Sequence, residues 1–256
     1  MNDSKADITI IETSDGSHSL FVPSLNETYH SRHGAMQESE WVFIKHGLDF
    51  ARPPALNPAT VSEIRIRILE VGFGTGLNAL LGMRWAEGND IHVHFTSLET
   101  NIIPLEVALQ LNYCDTDIGR GQAFERGSDA LTNPRGQQDR ERFLRMHASS
   151  CNEDIAIAPH FTLHKALRDV QSESSNEQYD IVFFDAFGPP TQPEMWLPEI
   201  FMRMFDALKP GAILVTYCAK GQVRRDMQSV GFTVERLPGP PGKREMLRAT
   251  KPMIHE

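Results

Sequence analysis

Apolar and polar positions fall into two repeating patterns along most of the chain. Ile64, Ile66 and Ile68 alternate with arginines and run into Leu69, Glu70 and Val71 before a glycine-rich segment, which predicts a strand entering a buried sheet. Leu77 to Trp85 predicts a helix, Ile91 to Leu98 a second strand, and Pro104 opens a further helix at a position where its missing N–H does no harm. Phe161 to Lys165 and Tyr179 to Phe184 read as strands. Glu199 to Leu208 reads as a helix with Ile200, Phe201, Met204, Phe205 and Leu208 on one stripe, ended by Lys209-Pro210-Gly211. Ala212 to Tyr217, a helix at Gln222 to Val230, and a strand pair (Phe232 to Arg236 with Glu245 to Ala249) around the Leu237 to Gly242 turn complete the series. Strand and helix in alternation predict an α/β, Rossmann-like fold with a mostly parallel central sheet and helices on both faces.

Two segments depart from that rhythm. Residues 1–60 mix polar and aromatic positions with turn signals at Asp15-Gly16, Pro23, Pro53-Pro54 and Asn57-Pro58, which predicts a β-hairpin extension packed on a core domain of residues 61–256. Residues 112–160 are rich in Asp, Arg, Gln, Asn and Gly and predict a polar, partly helical surface insertion, amphipathic near Arg142 to Met146.

With 40% hydrophobic and 23% charged residues among 256, the composition is that of a globular protein and excludes wholesale disorder. The longest apolar runs, Ile181 to Phe184 and Ala212 to Val215, fall far short of the roughly 20 residues a membrane helix needs. MNDSKADITI lacks the basic start and apolar block of a signal peptide, so a cytoplasmic protein is expected. Cys114, Cys151 and Cys218 are scattered and form no Cys-x-x-Cys, so neither a disulfide framework nor a thiolate zinc site is indicated. The net charge of −9 speaks against nucleic acid, yet it is unevenly spread. Thr216 to Lys251 holds eight basic and three acidic residues, a local +5 that leaves −14 on the rest.

The sharpest chemical signal is Glu70-Val-Gly72-Phe73-Gly74-Thr75-Gly76, with Asn78 two residues on, at a strand-to-helix turn. Its glycines let a ligand approach the backbone, and the next helix offers free N–H groups. The spacing is G-x-G-x-G, whereas dinucleotide folds use G-x-G-x-x-G, which favours S-adenosylmethionine over a nicotinamide cofactor. Glu70 agrees, because a carboxylate attracts an ammonium or sulfonium and repels a pyrophosphate. A purely structural glycine turn is the competing reading.

Glu99, followed by Thr100 at the end of the second strand, can accept both ribose hydroxyls. Asp169 is either an adenine contact or an exposed loop acid. Asp185 ends the apolar strand that leads into Ala-Phe-Gly-Pro-Pro190, where a transferred group would lie, and is the candidate catalytic residue for an amine acceptor. Phe184, Phe187 and Trp196 either wall that pocket and contact substrate or belong to the core. His30-x-x-His33 and His92-x-His94 lack further ligands at zinc spacing, so no metal is expected. Arg224, Arg225, Lys243 and Arg244 could grip a phosphate backbone, the alternative being a solvated basic face.

These pieces resemble the methyltransferase module of the bacterial MnmC family, which modifies the wobble uridine of tRNA. The matching strings are Asp15-Gly-Ser-His-Ser-Leu20, Asn26-Glu-Thr-Tyr-His-Ser31, Gly34-Ala35, Glu38-Ser39, LEVGFGTGLN, Leu98-Glu99-Thr100, FFDAFGPPTQPEMW, VRR and KREM. The resemblance implies a class I methyltransferase fold and transfer of a methyl group from S-adenosylmethionine to the amine of 5-aminomethyl-(2-thio)uridine in a tRNA anticodon. It also implies that Glu70, the glycine loop, Glu99 and Asp185 hold cofactor or amine, and that a separate flavin oxidase acts upstream. Arg168 stands before Asp169 where such enzymes often carry glycine, which weakens the adenine assignment. Two other readings fit the same loop. One is an aminopropyltransferase of the polyamine type, which has no use for a basic rim; the other is a catalytically silent nucleotide-binding module.

Overall fold

The computed structural model describes residues 8–52, 65–115 and 134–253. Ile64, the Pro53-Pro54 and Asn57-Pro58 turns and much of the polar insertion lie outside them. An eight-stranded sheet forms the centre, in the order β10-β11-β9-β8-β4-β5-β7-β6. The strands are β4 (Arg65–Val71), β5 (His92–Glu99), β6 (Asp154–Ala158), β7 (Phe161–Leu167), β8 (Tyr179–Phe184), β9 (Leu208–Thr216), β10 (Thr233–Pro238) and β11 (Glu245–Thr250). The neighbours from β9 to β7 pair in parallel, and antiparallel strands β6, β10 and β11 close the two edges. The Rossmann-like α/β expectation therefore holds. Chain direction across the sheet reverses at β4, which lies between β8 and β5, so a crevice opens above the carboxyl ends of these strands. Gly72 N–H donates to Leu98 O (2.9 Å) and Asp185 N–H to Val71 O (3.2 Å), tying the three strand ends together there.

The N-terminal segment forms the expected hairpin and more. Strands β1 (Thr9–Glu12), β2 (His18–Val22) and β3 (Glu27–Thr28) make a small antiparallel meander. Helix α1 (Ala35–Ser39) then runs directly into a π-helix, Glu40–Leu48. Leu20, Ala35, Met36, Val42, Phe43 and Leu48 are buried in the same cluster as Ile68, Phe95 and Phe183, so this extension supplies part of the core. Gly47 lets the π-helix lie on the sheet: a Cβ there would sit 3.1 Å from the Phe183 ring.

The polar segment is a second departure from expectation. Helix α4 (Pro134–Ala148) is far longer than its amphipathic centre and buries Phe143, Met146 and His147, while β6 extends the sheet. Polar members of its buried stripe are neutralised locally, Asp139 by Arg84 at 2.8 Å. The other α-helices of four or more residues among the described residues are α2 (Leu77–Asn89), α3 (Leu105–Ala108), α5 (Pro198–Ala207) and α6 (Gly221–Ser229). Lys209-Pro210-Gly211 lies inside β9, because strand pairing resumes directly after α5. No helix among the described residues is long and apolar enough to cross a membrane.

Candidate active site

A cavity of about 960 Å³ occupies the crevice at the carboxyl ends of β4, β5 and β8. Its size matches that of small-molecule sites, which run from about 300 to 1,000 Å³. The turn after β4 forms its floor through Gly72 and Gly74, and Gly72, Gly74 and Gly76 take φ 93°, 49° and 74°, a region that side chains rarely adopt. At Gly72 a Cβ would stand 3.1 Å from the Asp185 carbonyl, and at Gly74 it would stand 3.0 Å from the Tyr29 ring. The glycines are therefore dictated by the close approach of two other segments.

Glu99 lines the cavity, and its carboxylate accepts three backbone N–H groups, from Gly74 (3.0 Å), Thr100 (2.8 Å) and Asn101 (2.7 Å). One side chain thus fixes both the glycine turn and the turn after β5, and keeps lone pairs for a diol. Phe73, Thr75, Asn78, Thr100, Asp169, Asp185 and Phe187 line the same space. Asp169 also caps a 3₁₀ turn, accepting Gln171 N–H at 2.8 Å.

Three residues expected at the cradle or pocket sit elsewhere, and Gly76, the first of them, backs onto His147 and Phe73. Glu70 does not face the cavity: it is 1% exposed, accepts from Ser97 Oγ (2.5 Å) and Asn78 Nδ2 (3.1 Å), and is pushed well above the carboxylate range by burial. It reaches Asp185 only through Asn78, whose Nδ2 also donates to Asp185 Oδ2 at 2.8 Å. Trp196 is core, packed on Phe184 (5.0 Å) and Phe201, and its Nε1–H donates to Phe187 O at 2.7 Å. It positions the Phe187 loop and takes no part in the cavity wall.

Asp185 is half-buried and lines the cavity. Burial pushes its carboxyl up to about 8, Glu38 adds to the rise, and the Asn78 hydrogen bond and Lys243 oppose it. Acidic side chains dominate this edge, so the cavity favours a cation and disfavours a pyrophosphate. The residues present fit S-adenosylmethionine: a cradle that a Cβ would fill, a carboxylate at the strand end, and a carboxylate-rich wall for a sulfonium.

Several residues at the site were not assigned a role there from the sequence. Tyr29 lies edge-on to Phe187 at 5.0 Å and closes the cavity from the meander side. Beneath the glycine turn, His30 Nε2 meets Thr75 Oγ1 at 2.7 Å and His147 Nε2–H donates to Thr75 O at 3.1 Å. Burial lowers both imidazoles to about 4. Unfolded histidine titrates near about 6.5, so these groups contribute stability above that pH and lose it as pH falls toward 4, on the order of 3 kcal/mol each. In His30→Gln the gap in thermal midpoint between wild type and variant accordingly narrows as pH drops from about 6.5 to 4. A gap independent of pH would show that His30 is not held neutral.

The basic residues divide. Lys243 turns inward and pairs with Glu38, whereas Arg225 and Arg244 are exposed and Arg224 is half-buried. Helix α6, which carries Arg224 and Arg225, starts just beyond the carboxyl end of β9, on the cavity's edge of the sheet. Among the described residues no cluster of three or more His, Cys, Asp or Glu is arranged to hold a metal.

Residues 136–252 match the model of a family described as S-adenosyl-L-methionine-dependent methyltransferases. Fold and cradle agree with that match, which spans 117 of the chain's 256 residues. More particularly, the chain is similar to the tRNA 5-methylaminomethyl-2-thiouridine biosynthesis bifunctional protein MnmC. It is 31% identical to that of Ectopseudomonas mendocina over 229 residues (88% of this chain, 32% of the relative) and 30% identical to that of Stutzerimonas stutzeri over 230 residues (87% and 32%). The chain spans about a third of the length of these relatives. In structure it resembles MNMC2 from Aquifex aeolicus, with TM-score 0.70 and 24% identity over 100% of this chain and 75% of that one. Spermidine synthase from Thermotoga maritima shares the fold more distantly, with TM-score 0.51 and 13% identity over 96% and 70%.

Proposed function

We propose that the chain methylates the primary amine of a 5-aminomethyl-(2-thio)uridine at the wobble position of tRNA. The observation that carries this reading is Asp185, a half-buried carboxyl of raised proton affinity lining a cation-favouring cradle. The MnmC relatives supply the substrate class. When bound, S-adenosylmethionine supplies an electrophilic methyl carbon on a positively charged sulfur. Gly72 to Gly76 hold its amino-acid end against the backbone, Glu99 accepts its ribose hydroxyls and Phe187 shields the reacting centre from water. An alkylamine with a pKa near about 10.4 arrives protonated and has no lone pair to offer. Asp185 takes that proton, and a carboxyl titrating at about 8 suits the task near neutral pH.

Arg225 and Arg244, with Arg224 beside them, contact the tRNA backbone in this reading. Replacing Arg225 and Arg244 by Ala weakens tRNA binding and flattens the dependence of log K on log salt by about 1 to 2, with S-adenosylmethionine affinity unchanged. A slope equal to wild type would remove this rim from the interface. Exposure of the amine on the uridine falls to a flavin oxidase acting upstream, and the reaction belongs in the cytoplasm with its tRNA. The direct test is incubation with methyl-labelled S-adenosylmethionine and tRNA carrying 5-aminomethyluridine, followed by nucleoside analysis. Label in the methylaminomethyl nucleoside is expected; unlabelled tRNA, together with aminopropyl transfer to putrescine from decarboxylated S-adenosylmethionine in a parallel incubation, would transfer the site to polyamine chemistry.

A further inference from the structure

Lys243 has no part in the reading above, yet its surroundings are specific. It leaves the Pro238 to Gly242 turn between β10 and β11, which is fastened to the N-terminal segment by Trp41 Nε1–H donating to Pro238 O at 2.9 Å. From there the side chain reaches inward. Its ammonium donates to Glu38 Oε1 and lies 3.8 Å from the centre of the Tyr217 ring. Glu38 is only 5% exposed, and its other oxygen accepts Ser31 N–H at 2.9 Å. Tyr217 donates its hydroxyl to Ala186 O at 2.8 Å, which fixes the ring to the residue that follows Asp185. Asp185 in turn feels the charges of both Glu38 and Lys243. A primary alkylammonium is thus already seated against a carboxylate and an aromatic face, close enough for its charge to act on the candidate base.

We propose that Glu38, the Tyr217 ring and Asp185 form the subsite for the acceptor's primary ammonium, and that Lys243 occupies it as an internal surrogate until the acceptor displaces it. This rests on the reading that the acceptor is an alkylamine. A buried carboxylate left unpaired is costly, so Glu38 needs a cation whether or not substrate is present. Exchange of one ammonium for another keeps the charge balance. Lys243 is suited to leave because its four-carbon stem rises from a turn with Pro241, Gly242 and Arg244 exposed, so withdrawal opens no core.

The test needs neither tRNA nor methyl donor, so its failure is separate from failure of the tRNA reading. Lys243→Met keeps the stem and vacates the subsite. About 20 mM n-butylammonium chloride is expected to raise its thermal midpoint by about 3 °C or more over the same concentration of sodium chloride, and that of wild type by less than about 1 °C. Adding Glu38→Gln to Lys243→Met abolishes the shift. Equal shifts in wild type and Lys243→Met, or a shift that survives in the double variant, overturn the proposal. Should Lys243→Met not fold, Lys243→Gln, which retains a donor for Glu38 without the charge, is read against the same criteria.

Discussion

Replacing Asp185 by Asn lowers the methyl-transfer rate by about 10²-fold or more, the scale of losing a general base, while the fold and the affinity for S-adenosylmethionine persist. Asn is close in size to Asp and keeps an oxygen for the 2.8 Å bond from Asn78, so the local geometry survives and only the proton acceptor is lost. The pH profile separates this loss from mere misplacement. Asp185 acts when ionised, so wild-type kcat rises as pH increases through about 8, where burial has moved its carboxyl. The Asn variant lacks that limb. A variant with near wild-type rate, or one that keeps the same rise, removes Asp185 from proton transfer.

Replacing Glu99 by Ala weakens S-adenosylmethionine binding by about 10² at most and about tenfold at least, since hydrogen bonds to a charged partner contribute about 1.5–3 kcal/mol. Two losses combine. The ribose loses its acceptor, and the N–H groups of Gly74, Thr100 and Asn101 lose the carboxylate that holds both turns in place. Glu99→Gln separates them, because the amide retains one oxygen for the backbone and accepts a diol less well. Calorimetry is expected to rank wild type above Gln and Gln above Ala. Equal affinity in all three would exclude the strand-end carboxylate from the cofactor site.

The parts of this architecture that were legible in the sequence are those written in local signals. The alternation around Ile66 and Ile68, the glycine turn and the apolar strand ending at Asp185 are contiguous strings whose period or turn chemistry dictates their form. What was not legible depends on distant partners. Tyr29 and His30 reach the cavity from a segment without a regular period, and only the folded chain brings His30 to Thr75, 45 residues away. Helix α4 hides its buried stripe because Gly136, Asp139 and His147 stand in it beside Phe143 and Met146, and a polarity pattern reads such a face as solvated. Charge counting placed Lys243 on a basic rim, but whether a lysine meets phosphate or an internal carboxylate is decided by Glu38, 205 positions upstream. Phe187 and Trp196, nine residues apart, took opposite fates because the indole N–H found its acceptor in the Phe187 carbonyl.

All of this turns on a cation bound across the carboxyl edge of the sheet. The most direct measurement is a crystal structure of the protein soaked with S-adenosylmethionine. The account predicts density in the β4–β5–β8 crevice, with the ribose diol on Glu99, the amino-acid end over Gly72 to Gly76 and the methyl carbon toward Asp185. Density outside that crevice, or a methyl group directed away from Asp185, contradicts it.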